Sequence, residues 1–221
     1  MKSKIRTMTA VTVVVALGLF VSSCLRSNTG SKKAEEAEQE NTVAVKKYGD
    51  VDAAQIMDCY ITQDDATWLG VTKRLGLKPK GEGIMRQADL KMNFFSRGID
   101  YDATTDKFEV AEKDGIAIAV LEHKIDGVSW ELLLADKAEY DAAMERMKER
   151  KDYKDDAEMM KLYENDADLN FDKIFMKGVY DEKLSKDAGM RLGTAYYIFF
   201  EGKRSDCYVI SFSHGNGDIE I

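Results

Sequence analysis

Two spacings of hydrophobic residues alternate along the chain: steps of three and four, which build one face of a helix, and steps of two, which build one face of a strand. From Val51 to Tyr60, the residues Ala53, Ala54, Ile56, Met57 and Tyr60 keep the helical spacing. Asp65 to Leu75 repeats it with Trp68, Leu69, Val71, Thr72 and Leu75, behind Asp64 as capping residue. Pro79, within Lys78-Pro79-Lys80-Gly81-Glu82-Gly83, predicts a break, and Ile84 to Phe95 fits neither spacing cleanly.

After Gly98 the two-residue spacing takes over. Lys107 to Val110 alternates, and Ile116 to Glu122 with Val128 to Leu134 flanks Ile125-Asp126-Gly127, predicting an antiparallel hairpin. Its second arm places Val128, Trp130, Leu132 and Leu134 on one face and turns Ser129 and Glu131 to the other, as in a half-buried sheet. Asp136 then caps a charged helix, Lys137 to Lys151, whose apolar stripe is only Tyr140, Ala143, Met144 and Met147. A second thin-striped helix is predicted over Asp155 to Glu164, a short strand over Ile174 to Tyr180 and a turn or helical segment over Asp181 to Ala188. The clearest strands come last: Thr194 to Phe200 and Cys207 to Ser213 bracket Gly202-Lys203-Arg204-Ser205 as a closing hairpin dense in Tyr and Phe. Antiparallel pairs interrupted by helices, without strict strand-helix-strand alternation, predict an α+β fold, an antiparallel sheet with helices packed on one face.

The first 24 residues follow another logic. Met1 to Arg6 is basic, Met8 to Phe20 is mostly apolar, and Val21-Ser22-Ser23 are small residues before Cys24. The apolar run is about 14 residues, below the roughly 20 that span a bilayer. That order resembles the lipobox of bacterial lipoproteins, with Val21 where leucine is usual. The resemblance covers the signal alone. It implies cleavage before Cys24, acylation of the Cys24 thiol and amino group, and residence in the cell envelope. Leu25, rather than Asp, after the cysteine implies the outer membrane where the source has two. Residues 24–47 are then an acylated cysteine and a tether, polar, free of aromatics and carrying Glu35, Glu36, Glu38 and Glu40. Residues 48–221 are left as a single globular domain.

Charge narrows the partners. Removal of residues 1–23 takes Lys2, Lys4 and Arg6, leaving 29 of 32 basic side chains against 40 acidic ones, a net charge of −11. Such a chain repels nucleic acid and anionic headgroups, so membrane contact is expected through the lipid, and the partner is expected to be another envelope protein or ligand.

Candidate chemistry is sparse. Asp166, Asp168, Asn170 and Asp172 place oxygen ligands at alternate positions, which resembles the first half of an EF-hand calcium loop. Phe171 stands where that loop turns on Gly and Lys177 where it needs Glu, so the stretch is expected to be a polar turn and no metal is expected. Met144, Met147, Met159 and Met160 have the spacing of an apolar helix face as well as of a soft metal site, and no nearby Cys or His strengthens the second reading. His123 and His214 are expected in exposed turns, and a Cys207 with His214 nucleophile pair is disfavoured by the strand position of Cys207. Cys59 and Cys207 leave two readings open, one disulfide or two buried thiols. No catalytic motif and no cofactor-binding motif occurs. The expectation is a membrane-anchored envelope lipoprotein acting as a non-enzymatic binding module. Its rivals are a hydrolase working through carboxylates or a thiol, and a small-ligand carrier. Tyr196 and Tyr197 are the expected partner contacts, because both faces of their strand are apolar or aromatic.

Overall fold

In a computed structural model of the chain, which describes residues 51–124, 127–163 and 171–220, the first helical spacing becomes α1 (Ala53–Thr62). The described residues belong to one unit spanning Thr42–Ile221. Asp52 caps α1 by accepting the Ala54 and Gln55 N–H groups. Asp64 does the same for α2 (Asp65–Leu75) through the Thr67 N–H at 2.8 Å. Gly76 ends α2 with φ of +68°, a conformation open to glycine without strain.

Beyond α2, β1 (Lys78–Gln87) and β2 (Leu90–Arg97) form a hairpin with several register shifts. The break expected at Pro79 is therefore absent. Pro79 lies inside β1, and β1 is an edge strand, the place where a residue without an N–H is tolerated. A small separate sheet follows from β3 (Ile99–Asp102) and β4 (Lys107–Val110). The expected hairpin appears as β5 (Ile116–His123) with β6 (Gly127–Leu134). Then come α3 (Lys137–Lys148), β7 (Lys154–Asp155), α4 (Ala157–Tyr163), β8 (Lys173–Tyr180) and α5 (Glu182–Ala188). The closing hairpin of β9 (Leu192–Arg204) and β10 (Cys207–Glu220) runs longer than expected. Its turn falls at Ser205-Asp206, with Ser205 at φ of 56°, rather than at Gly202.

Sheet dominates this α+β domain. Eight strands join in the order β1-β2-β5-β6-β10-β9-β8-β7, every pairing antiparallel. Alternation along the strands divides the buried residues between two cores. One joins Ile56, Met57 and Tyr60 of α1, Val71 of α2 and Tyr140 and Met147 of α3 to Ile118, Leu132, Ile198, Phe200, Ile210 and Phe212 of the sheet. The other joins Ile99 and Phe108 of the small sheet to Met92, Phe94, Ala119, Leu133, Cys207 and Val209. Strand neighbours such as Leu132 and Leu133, or Val209 and Ile210, belong to different cores.

Candidate functional site

The two expected contact tyrosines are brought to different places. As consecutive residues of β9 they point to opposite sides of the sheet. Tyr196 packs against the first core, its ring edge-on to Tyr60 at 6.2 Å and tilted against His214 at 6.1 Å. Tyr197 stacks obliquely with Phe199 at 5.8 Å, and Phe199 in turn meets Phe171 at 5.1 Å. Both tyrosines are half-buried, so no flat patch joins them.

Cys59 and Cys207 are free, buried thiols in different cores. Of the two open readings, the described residues show two buried thiols and no disulfide: Cys59 belongs to the helix-containing core and Cys207 to the other. Burial raises both thiol pKa values, that of Cys207 to about 11, which makes a thiolate nucleophile scarce near neutrality. The Cys207 with His214 pair is also divided by the sheet. Cys207 packs in the second core, whereas His214 holds its Nδ1 2.7 Å from the Tyr60 hydroxyl of the first. That hydroxyl donates to the Val128 carbonyl at 2.7 Å. With its one proton so placed, it accepts from His214. His123, expected in an exposed turn, is half-buried, with Nε2 2.9 Å from the Ser129 hydroxyl across the hairpin.

Asp166, Asp168 and Asn170 of the calcium-like stretch lie outside the described residues. Asp172 is described, and its Oδ2 accepts the Tyr140 hydroxyl at 2.9 Å. Among the described residues no group of three or more His, Cys, Asp or Glu side chains is placed to hold a metal ion. Met147 is buried in the first core and Met144 packs against it.

The densest chemistry is a cluster that sequence reasoning missed. It starts from Glu131 on β6, directly opposite Ser211 on β10. Ser211 donates its hydroxyl to Glu201 Oε1. Glu201 sits at a bulge, the extra residue of β9 between Gly202 and Phe200, and a bulge re-aims its side chain. Arg204, at the end of β9, bridges both carboxylates, 2.7 Å from Glu131 Oε1 and 3.4 Å from Glu201 Oε2. Arg86 of β1 closes the other side, 2.7 Å from Asp106 and 3.7 Å from Glu131 Oε2. β1 and β6 are three strand positions apart, roughly 14 Å in a flat sheet. The extended Arg86 and Glu131 side chains together cover that span across the sheet. The Arg86 guanidinium also lies over the rings of Phe108 and Tyr101, 5.3 and 5.8 Å from their centroids.

Burial is graded through the cluster. The Glu131 side chain is 9% exposed, Arg86 13%, Glu201 21% and Arg204 42%, so Arg204 forms the outer rim. Burial, with Glu131 as a smaller contribution, raises the Glu201 pKa, while Ser211 and Arg204 act to lower it. Its hydrogen bond to Arg86 lowers that of Asp106. Glu131 Oε2 is buried and accepts no hydrogen bond. The alternation that sent Ser129 and Glu131 away from the first core was visible in the sequence. The second core on that side, which buries Glu131, was not, because β3 had no recognised signal. Arg204 was hidden by its assignment to a turn.

Elsewhere an open depression of about 510 Å³ lies beside α5, lined by Tyr180, Ser185, Lys186, Gly189, Met190 and Arg191. No helix among the described residues is long and apolar enough to cross a membrane. Compared with protein-family models, curated proteins and solved structures, the chain matches none.

Proposed function

We propose that the protein is a lipid-anchored envelope lipoprotein whose domain binds another envelope component through the outer side of β9. The observation that carries this reading is the row Tyr197, Phe199 and Glu201, alternate half-buried residues of one strand side, ending at the exposed rim of Arg204. Tyr and Arg are the residue types that most often dominate contact energy, and here rigid rings stand beside fixed charges. The ion cluster also has little to gain as a pure stabiliser. Desolvating buried charges offsets much of their attraction, and apolar replacements of such clusters are often neutral or stabilising. In this reading α1, α2 and α3 cover the other side of the sheet, α4 borders the Tyr197 side through Tyr163 and Phe171, and the half-buried row beside it is left to the partner. Cys24 carries the acyl chains, and residues 25–47 set the reach from the membrane.

One observation favours the rival, a hydrolase working through carboxylates: Glu201 has a raised pKa beside a second carboxylate. Arg204 argues against it, since a guanidinium bonded to both groups favours their ionised forms.

Both parts of the proposal are testable in the producing cell. A fatty-acid label is expected on the wild type and lost in Cys24→Ser; a label that persists in the variant withdraws the anchor. In crosslinked envelopes, Tyr197→Ala and Arg204→Glu are expected to lose the captured component, while Leu69→Ala, exposed on α2, which packs in the first core on the other side of the sheet, keeps it. Equal capture by all three withdraws the β9 surface.

A further inference from the structure

The described chain begins where the domain would be pulled if Cys24 is held in a membrane, and that point is fastened in an unusual way. Both backbone polar groups of Val51 are taken by side chains of α3. Its N–H donates to Glu139 Oε1 at 3.2 Å, and its carbonyl accepts from Arg146 Nη2 at 2.7 Å. The same Arg146 nitrogen donates to the same Glu139 oxygen at 3.0 Å, closing a triangle. Val51 and Glu139 are each 4% exposed, so the carboxylate is held in low dielectric, where charge-assisted hydrogen bonds are strong. Glu139 and Arg146 are seven residues apart, two turns and about 10 Å of helix axis, so the pair spans the end of the chain along α3.

We infer that the Glu139 and Arg146 pair is a mechanical stop, which passes tension arriving from the tether into α3 and keeps it off α1. The contact is to backbone atoms, so it fixes the path of the chain rather than recognising the valine side chain. Its position is also informative. The next residue, Asp52, caps α1, and without the stop a pull at Val51 would act first on that cap and peel α1 from its N-terminal end. With the stop, the load meets α3, whose Tyr140, Ala143 and Met147 are buried in the first core. Tension is then borne by a helix seated in the core, and α1, which carries Ile56, Met57, Cys59 and Tyr60 into that core, is spared.

The inference rests on the proposed lipid anchor for its purpose, and its test applies the force directly, so the two fail separately. The full chain, unacylated, is held by a handle on Cys24 and a tag after Ile221; Cys59 and Cys207 are buried and leave Cys24 as the reactive thiol. A second geometry pulls from Lys113→Cys in a Cys24→Ser background, from an exposed loop with no path through Val51. Under constant load Arg146→Ala, which removes the cation beside the buried Glu139, is expected to unfold faster than wild type in both geometries. The acceleration is expected to be about tenfold larger from Cys24 than from position 113, the further factor being the lost charge-assisted hydrogen bond to the Val51 carbonyl. Arg146→Lys, which keeps the charge but whose shorter side chain places its Nζ short of the Nη2 position that serves both acceptors, gives the same contrast if the alanine variant does not fold. Equal acceleration in both geometries makes the pair an ordinary stabiliser and overturns the inference, as does no acceleration from Cys24.

Discussion

At the scale of single residues, the charged groups carry the sharpest expectations. Glu201 has its pKa raised from the ordinary 4.5, chiefly by burial, so the folded chain holds this proton more tightly than the unfolded one. The sign follows by linkage: its contribution is fully present below the ordinary value and is lost as pH rises through the raised one. Asp152 runs the other way, because its hydrogen bond to Arg150 lowers its pKa to about 2, and its contribution is lost as pH falls from 3.8 toward that value. Glu201→Gln mimics the protonated form and keeps an oxygen for the Ser211 hydroxyl. Denaturant unfolding is expected to find the variant more stable than wild type at pH 8 and equal to it at pH 4. A variant less stable at pH 8 would mean that the Arg204 bond outweighs the cost of burial. None of this was legible in the sequence, since Glu201 sits in an aromatic strand and its surroundings depend on a bulge and on Glu131 and Ser211 of other strands. Legibility at this scale was good only where the partner is local: Asp64 and Asp136 both cap the helices assigned to them.

At the scale of elements, the same contrast separates what periodicity carries from what it leaves out. α2 matches its predicted span, and β5, β6 and β8 are recovered within a residue or so at each end. Each has a one-sided pattern of its own. β1 and β3 were not legible, because β1 is a bulged, mostly exposed edge strand containing Pro79 and two glycines, and β3 is four residues long. β9 was recognised, but its two aromatic faces did not tell which of them the rest of the chain packs against. Tyr196 holds Tyr60 and His214 at the margin of the first core, whereas Tyr197 has Phe199 on the other side. Tyr196→Ala is expected to cost about 2 kcal/mol, less than a fully buried aromatic, and Tyr197→Ala to cost less than that. Thermal or denaturant melts of the two variants check the order, and a larger loss in Tyr197→Ala would show that its side of the sheet is core rather than contact surface.

At the scale of the whole molecule, one sheet is shared by two cores, and the free cysteines report on them separately. Cys59 is 1% exposed in the core that includes α1, and Cys207 is fully buried in the core that includes the small β3 and β4 sheet. Every residue of the second core on β5, β6 and β10 has a strand neighbour in the first or packed against it, so opening one side removes the support of the other. That arrangement favours a single cooperative transition over independent opening. In a Cys24→Ser background, a thiol reagent is expected to leave both cysteines unmodified in the native chain. With rising denaturant, Cys59 and Cys207 are then expected to become reactive at one midpoint and with one slope, read by mass spectrometry of the modified peptides. Their midpoint is also expected to be unchanged by a reductant, because no disulfide links them. Earlier reaction of Cys207 would mean that the small sheet lifts away alone. It would also make the Arg86 contacts to Glu131 and Asp106, which tie that sheet to β6, weaker than the packing beneath them.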